Sequence, residues 1–159
     1  MMQRFILVFW VFFSLLTGKN CFSQANDFRF ENITEKKGLS YNIVNCFLKD
    51  SKGFLWIGTY DGLNRYDGNH FYVYKQSKDT NSLVHNTVHG LCEDPSGNIW
   101  GCTDDGVFRY NSASNSFRNY NSRKFKSLNV TLTILCDKQG SIWVGGFGGL
   151  FRFDPKADS

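Results

Sequence analysis

The sequence predicts an all-β fold that forms part of a β-propeller. The first observation is a sequence repeat with three copies, whose tryptophans at positions 56, 100 and 143 are 44 and 43 residues apart. A period of about 40 to 45 residues is typical of four-stranded propeller blades. The second observation is that glycine-bearing turns separate short runs rich in β-branched and aromatic residues. The third is that no segment has the period, length or capping of a globular helix.

Several neighbours of each tryptophan keep the same spacing. A glycine precedes it by three positions and another follows by six, an arginine follows by nine, and an aromatic residue comes next. These positions are Gly53, Gly97 and Gly140; Gly62, Gly106 and Gly149; Arg65, Arg109 and Arg152; and Tyr66, Tyr110 and Phe153. Because whole sets of residues stay in phase, each copy is predicted to be one structural unit.

Each unit reads as strands joined by turns. An Asp-x-x-Gly sequence begins at Asp50, Asp94 and Asp137, and fits a type I turn. Strands are predicted before it at 43–48, 88–92 and 132–136, and after it at 54–59, 99–103 and 142–146. A second turn leads to a third strand at 63–66 and its counterparts, and a fourth strand is predicted at 71–74 and 117–120.

The N-terminal residues have the succession of charged, apolar and polar segments that is typical of a secretory signal peptide. Residues 1–4 are short and positive, residues 5–16 are an apolar run, and residues 17–24 are polar with a small residue at Ser23. Cleavage near Ser23 is therefore predicted, with export to the periplasm. An uncleaved membrane anchor is the alternative, although a span needs roughly 20 apolar residues.

The rest of the chain divides into four parts. Residues 24–38 are predicted to hold an N-terminal strand at 28–33 that could close a ring, followed by a linker. Blade 1 is expected at 39–80, blade 2 at 81–124 and an incomplete blade 3 at 125–159. Propellers usually have at least four blades. The chain is thus interpreted as a piece of a longer protein, a truncated product, or a subunit that needs another copy for closure.

Charge and chemistry exclude several functions. Removing residues 1–23 lowers the formal charge from +4 to +2, which gives no argument for nucleic acid or for membrane contact by the mature segment. The histidines His70, His85 and His89 lack a third ligand at metal spacing. No catalytic residue, metal site or cofactor motif is predicted, and the chain is not expected to be an enzyme.

The second turn of each repeat is the candidate ligand site. Its residues vary while the frame around them stays fixed, and variable turns on a fixed scaffold often carry binding specificity. The residues are Tyr60, Asp61, Asp104, Asp105 and Phe147. A small molecule or an oligosaccharide is the expected partner, and an ordinary solvated turn is the alternative.

Other recurring residues are expected to serve the blades. The three tryptophans are predicted to be buried between blades with their indole N–H groups satisfied, although ligand stacking is an alternative. The recurring arginines are expected to pack or to form rim ion pairs, with carboxylate binding as the alternative. Cysteines 46, 92, 102 and 136 are predicted to be buried free thiols, with a Cys92–Cys102 disulfide as the alternative.

The repeated sequence resembles the two-component regulator propeller repeat over about residues 28–154. The likeness rests on the hydrophobic-Trp-hydrophobic-Gly pattern and on Gly-Leu-Asn-Arg-Tyr-Asp at 62–67. The second copy departs, with Gly101-Cys102 where the first has Ile57-Gly58. The resemblance implies the N-terminal part of the periplasmic sensor region of a Bacteroidetes-type hybrid two-component histidine kinase, binding a glycan-derived ligand. A secreted propeller enzyme, a non-signalling binding protein and an inactive truncated product are the alternatives.

Overall fold

The computed structural model describes residues 29–153, which form eleven strands in three antiparallel sheets. Blade 1 contains β1 to β4, blade 2 contains β5 to β8, and blade 3 contains β9 to β11. Their bounds are β1 Val44–Lys49, β2 Leu55–Thr59, β3 Gly62–Tyr66, β4 Phe71–Tyr74, β5 Val88–Glu93, β6 Ile99–Thr103, β7 Gly106–Asn111, β8 Ser116–Tyr120, β9 Thr131–Cys136, β10 Ile142–Gly146 and β11 Gly149–Phe153. The all-β partial propeller that the sequence predicts is confirmed.

The three sheets stand side by side through their first strands. β1 contacts β5, and β5 contacts β9, while each sheet runs outward in chain order from its first strand. We call the boundary between blades 1 and 2 the first seam and that between blades 2 and 3 the second seam. Each seam has its own apolar core, centred on Trp56 in the first and on Trp100 in the second.

The Asp-x-x-Gly turns form as the sequence predicts. The glycine N–H donates to the aspartate carbonyl oxygen three residues earlier, at 3.0 Å for Gly53 and Asp50 and at 2.9 Å for Gly97 and Asp94. Gly53 has φ +91°, a backbone conformation that favours glycine. The turns therefore fix the register of the strands on either side.

The predicted N-terminal strand is not formed where it is described. Residues 29–33 belong to no strand, because they have no neighbouring strand in the described part of the chain to share backbone hydrogen bonds. A 3-10 helix at Glu35–Lys37 follows. The predicted signal peptide lies outside the described residues. In the described chain, 29–153, no helix is long and apolar enough to cross a membrane.

The second repeat has Gly101-Cys102 where the first has Ile57-Gly58, and neighbouring residues compensate for this difference. In blade 1, Ile57 faces Asn64 across the sheet, whereas in blade 2 Gly101 faces Phe108. A methyl group at Gly101 would collide with the Phe108 ring. The large side chain has thus moved from one strand to the next, and the pair still fills the sheet interior.

The same exchange occurs one pair further along the sheet. Cys46 faces Gly58 in blade 1, and Gly90 faces Cys102 in blade 2. A methyl group at Gly58 would collide with Cys46 Sγ. Only one side chain fits at each pair, so the cysteine occupies opposite strands in the two blades.

The cysteines differ from the prediction of four free thiols. Cys92 and Cys136 form a disulfide across the second seam, with Cα atoms 5.8 Å apart. Cys102 pairs across the sheet with Gly90 rather than with Cys92, which excludes the alternative bridge. Cys46 and Cys102 are free, and burial raises the pKa of the Cys46 thiol to about 11 and that of Cys102 to about 12.

Candidate functional site

The predicted ligand residues all lie at one end of the sheets, which we call the upper face. This face carries the turns between the second and third strands of the blades, namely β2–β3, β6–β7 and β10–β11. The loops that lead into β1, β5 and β9 lie at the same end, because the first residue of each of these strands pairs with the last residue before the turn of its blade. The opposite end, the lower face, carries the Asp-x-x-Gly turns and the β3–β4 and β7–β8 turns. The structure thus brings Tyr60, Asp61, Asp104, Asp105 and Phe147 to the same face.

The second residue of the turn holds the loop that leads to the next blade. Asp61 accepts hydrogen bonds from Asn86 Nδ2 at 2.9 Å and from Lys75 Nζ at 2.5 Å. Asp105, at the same position of blade 2, accepts from Ser122 Oγ at 2.6 Å. Both carboxylates accept hydrogen bonds from the loop to the next blade, so their geometry fits a role in stabilising that loop.

The first residue of the turn is presented to solvent and differs in every blade. Tyr60 is 51% exposed and Phe147 is 76% exposed. Asp104 is the counterpart in blade 2 and is half-buried. An aromatic ring, a carboxylate and a second aromatic ring therefore occupy equivalent places on the upper face.

Asp104 forms a polar cluster with two histidines. Its Oδ1 lies 2.7 Å from His89 Nε2, and its Oδ2 lies 4.0 Å from His85 Nδ1. A carboxylate between two imidazoles combines donors and acceptors within a small area. Within residues 29–153, no group of three or more His, Cys, Asp or Glu side chains could hold a metal ion.

A β-bulge places His89 in this cluster. The register of β5 on β6 shifts between Val88 and Gly90, which leaves His89 as the extra residue. Bulges redirect the side chain of the inserted residue. His89 is not among the predicted ligand residues because a bulge has no signal in a single sequence.

The bulge recurs in all three blades, with a different residue each time. It leaves Asn45 unpaired in β1 and Leu132 unpaired in β9. Asn45 Nδ2 donates to the Val88 carbonyl oxygen at 2.9 Å, and Leu132 is exposed. Each blade thus contributes one turn residue and one bulge residue, and the three pairs are Tyr60 with Asn45, Asp104 with His89, and Phe147 with Leu132.

A polar hollow of about 300 Å³ lies on the same face, beside Asp105. Its lining includes Asn119, Arg123 and Lys78. Asn119 donates from Nδ2 to the Ser82 carbonyl oxygen at 2.9 Å, but its Oδ1 is buried without a hydrogen-bond partner. This oxygen has almost no accessible surface, so Asn119 belongs to the wall of the hollow and its amide oxygen is not exposed to a ligand.

The tryptophans belong to the scaffold that supports these residues. Trp56 is 1% exposed, and its Nε1 donates to Asp50 Oδ2 at 2.8 Å. Trp100 and Trp143 make the same bond to Asp94 and Asp137, each at 2.9 Å. The prediction that the tryptophans are buried with a partner is confirmed for Trp56 and Trp100, whereas Trp143 is partly exposed.

The recurring arginines stack on these tryptophans. The guanidinium carbon lies 5.9 Å from the Trp56 ring centre for Arg65, 5.7 Å from Trp100 for Arg109, and 5.5 Å from Trp143 for Arg152. Arg152 also donates to Ser141 Oγ at 3.1 Å. These contacts are cation–π packing, one of the two roles that the sequence predicts for the arginines.

Comparison with known proteins identifies the repeat. The family profile described as "Two component regulator propeller" matches residues 38–61, 82–105 and 124–148. The chain is also 39% identical to "Histidine kinase P4" of Formosa agariphila over 57 residues. This alignment covers 36% of this chain and 4% of that protein.

Two solved structures share the fold. Both are extracellular domains of BT4673 from B. thetaiotaomicron, described once as a one-component and once as a hybrid two-component system, and both are 28% identical to this chain. The first has a TM-score of 0.66 over 80% of this chain and 19% of that chain, and the second has 0.58 over 72% and 17%. The chain thus spans less than a fifth of the length of these relatives.

Proposed function

Because this chain belongs to the two-component regulator propeller family, we propose that it is a ligand-binding segment of an extracellular sensor and that it binds an oligosaccharide on its upper face. The solved structures that it resembles are extracellular domains, and a disulfide such as Cys92–Cys136 suits an oxidising compartment. The proposal is for binding and signalling, with no catalytic step on this chain.

The upper-face turn and bulge residues carry the proposal. Tyr60, Asp104 and Phe147 vary on blades whose Trp–Asp hydrogen bonds repeat unchanged. Aromatic rings stack on the apolar faces of sugars, while the Asp104–His89 pair suits hydroxyl groups. A ligand of several sugar units would be long enough to meet residues from more than one blade.

The proposed partners follow from the same geometry. Blade 3 ends its described part with three strands, so the edge strand β11 has unpaired backbone groups. We expect either the remainder of a propeller or a second copy of this chain to pair with that edge.

The test measures binding of defined sugars to variants on the two faces. Isothermal titration with the neutral hexasaccharides of glucose, xylose and mannose would first find those that bind. For each of these we expect His89→Ala and Tyr60→Ala to weaken affinity about ten-fold, the size of one lost hydrogen bond or stacking contact. His70→Ala, on an exposed lower-face turn, is the matched control and should change affinity less than two-fold.

Two results would contradict the proposal. Binding that is unaffected by both upper-face variants would move the site elsewhere. The failure of every hexasaccharide to bind to the folded chain would remove oligosaccharides as the ligand class.

A further inference from the structure

We infer that Arg65 binds the carboxylate of an acidic sugar. The site is a groove at the outer lower side of the first seam, and it is independent of the proposed function. The groove has a volume of about 460 Å³ and is lined by Arg65, Tyr72, Val73, Tyr74, Tyr110, Ser112 and Asn115. This size is within the range of small-ligand pockets, about 300 to 1,000 Å³.

Arg65 has no anionic partner in the described part of the chain. Within the described residues it makes no ion pair and no hydrogen bond, and its Nε is buried without an acceptor. Its guanidinium carbon lies 4.7 Å from the ring centre of Tyr72 and 5.0 Å from that of Phe54. The rings fix the plane of the guanidinium and leave its donors unpaired, which preorganises the group for a bidentate carboxylate.

The matching arginines of the other blades are arranged differently. Arg109 stacks on Trp100 alone and faces Arg118 across the sheet, where Arg65 faces Tyr72. Arg152 already donates to Ser141 Oγ. The combination of an unpaired guanidinium and several aromatic rings is therefore specific to blade 1, which distinguishes it from the packing that all three arginines share.

Hydroxyl and amide groups line the groove beside Arg65. Tyr74 Oη lies 3.2 Å from Tyr110 Oη, which in turn donates to Asn115 Oδ1 at 2.7 Å. Burial, and next the hydrogen bond with Tyr110, raises the pKa of Tyr74, so this hydroxyl stays protonated. Asn115 has φ +48°, and its Nδ2 makes no hydrogen bond within the described chain. These groups suit the hydroxyls of a sugar ring.

A second cation stands at the edge of the groove. Lys52 Nζ donates to Ser112 Oγ at 2.6 Å and has no carboxylate partner among the described residues. Two unpaired cations favour an anionic ligand over a neutral one. The exposed Tyr72 ring offers an apolar surface for the sugar face. The ligand class is accordingly a hexuronic acid, with its carboxylate on Arg65.

The test compares sodium glucuronate with glucose on the full chain by isothermal titration. We expect glucuronate to bind at least ten-fold more tightly than glucose. Arg65→Gln should abolish this preference, and Arg109→Gln, the matched position of blade 2, should keep it. Lys52→Ala should reduce glucuronate affinity about three-fold. Because its side chain is on the surface, this variant tests the site even if Arg65→Gln fails to fold.

Three outcomes would overturn the inference. Equal affinities for glucuronate and glucose would exclude a carboxylate site. Equal losses in Arg65→Gln and Arg109→Gln would show a general effect of charge or stability. Sodium acetate binding as tightly as glucuronate would show that the groove takes any carboxylate without recognising a sugar.

Discussion

The two seams between blades are closed by different means at the same position. Glu93 ends β5 and accepts hydrogen bonds from Ser51 Oγ at 2.6 Å and from Ser51 N–H at 2.8 Å across the first seam. Cys136 ends β9 at the equivalent register position and forms the disulfide with Cys92 across the second seam. One seam is thus tied by exposed hydrogen bonds and the other by a covalent bond.

The seams also differ in how their aromatic residues pack. In the first seam, Trp56 and Tyr74 of blade 1 meet Tyr110 and Phe117 of blade 2, with ring centres 5.0 to 5.9 Å apart. The second seam repeats three of these four rings as Trp100, Tyr120 and Phe153. Within residues 29–153, no counterpart of Phe117 packs at the second seam.

The second seam also contains a cavity. A hollow of about 320 Å³ in the second seam is lined mainly by apolar side chains, among them Trp100, Tyr120 and Phe153. In the first seam Phe117, from the fourth strand of blade 2, packs against Tyr74 and Tyr110. The fourth strand of blade 2 therefore adds a ring to the aromatic core that blades 1 and 2 share.

The largest effect is expected from removing the tryptophan of the complete seam. Trp56→Ala should lower the free energy of unfolding by about 3 to 5 kcal/mol, because it removes a fully buried indole and leaves a cavity. Trp143→Ala, at the open end of the array, should cost only about 1 to 2 kcal/mol, since that indole is partly exposed. Urea denaturation followed by circular dichroism would measure both values. Equal costs would contradict the expectation that the more deeply buried indole contributes more to stability.

The second prediction breaks the covalent tie. Cys136→Ser should lower the free energy of unfolding by about 3 kcal/mol, because the disulfide closes a loop of 44 residues in the unfolded chain. The native chain in dithiothreitol is the control and should unfold at the same urea concentration as the variant. A variant as stable as the oxidised native chain would show that the second seam does not need the bridge.

The third prediction weakens the equivalent tie of the first seam. Glu93→Ala removes two exposed hydrogen bonds to Ser51, so a loss of about 1 kcal/mol is expected in the same denaturation experiment. Ser51→Ala removes one of the two bonds, the one from the hydroxyl, and should cost less than Glu93→Ala. A loss as large as that of Cys136→Ser would make the two ties equivalent.

The fold could be predicted from the sequence because the same turn and strand motif occurs three times at a constant spacing. The Asp-x-x-Gly turn, the tryptophan and the second glycine keep their spacing, and the observed strands begin and end within one or two residues of their predicted bounds. Residues 29–33 are not in a strand in the described chain, because a strand depends on a partner strand, and pairing is a long-range property that local composition does not contain.

The candidate site was predictable only in part. Variation at the second turn led to Tyr60, Asp104 and Phe147, but sequence alone could not separate these from Asp61 and Asp105, whose contacts are with loops of the same fold. The bulge residues Asn45, His89 and Leu132 were missed because register is set by strand pairing. The Cys92–Cys136 bridge was missed for a similar reason, since it joins two blades.

The smallest effect concerns acid stability at the open end of the array. The hydrogen bond from Trp143 Nε1, and then the backbone N–H groups of Ser141 and Gln139, lower the pKa of Asp137 below its usual value. A carboxyl whose folded pKa is lowered stabilises the fold fully above its unfolded pKa of about 4, and this contribution is lost as the pH falls through the folded pKa. Asp137→Asn should therefore flatten the fall of the melting temperature below pH 4.

Asp67→Asn is the matched control for this experiment. Backbone N–H groups of His70 and Asn69 lower the pKa of Asp67, but this carboxylate bonds no tryptophan. Both variants should flatten the acid limb, whereas only Asp137→Asn should also change the tryptophan fluorescence of the folded chain at pH 7. If Asp137→Asn leaves both the acid limb and the fluorescence unchanged, the hydrogen bond from Trp143 to Asp137 does not contribute to stability.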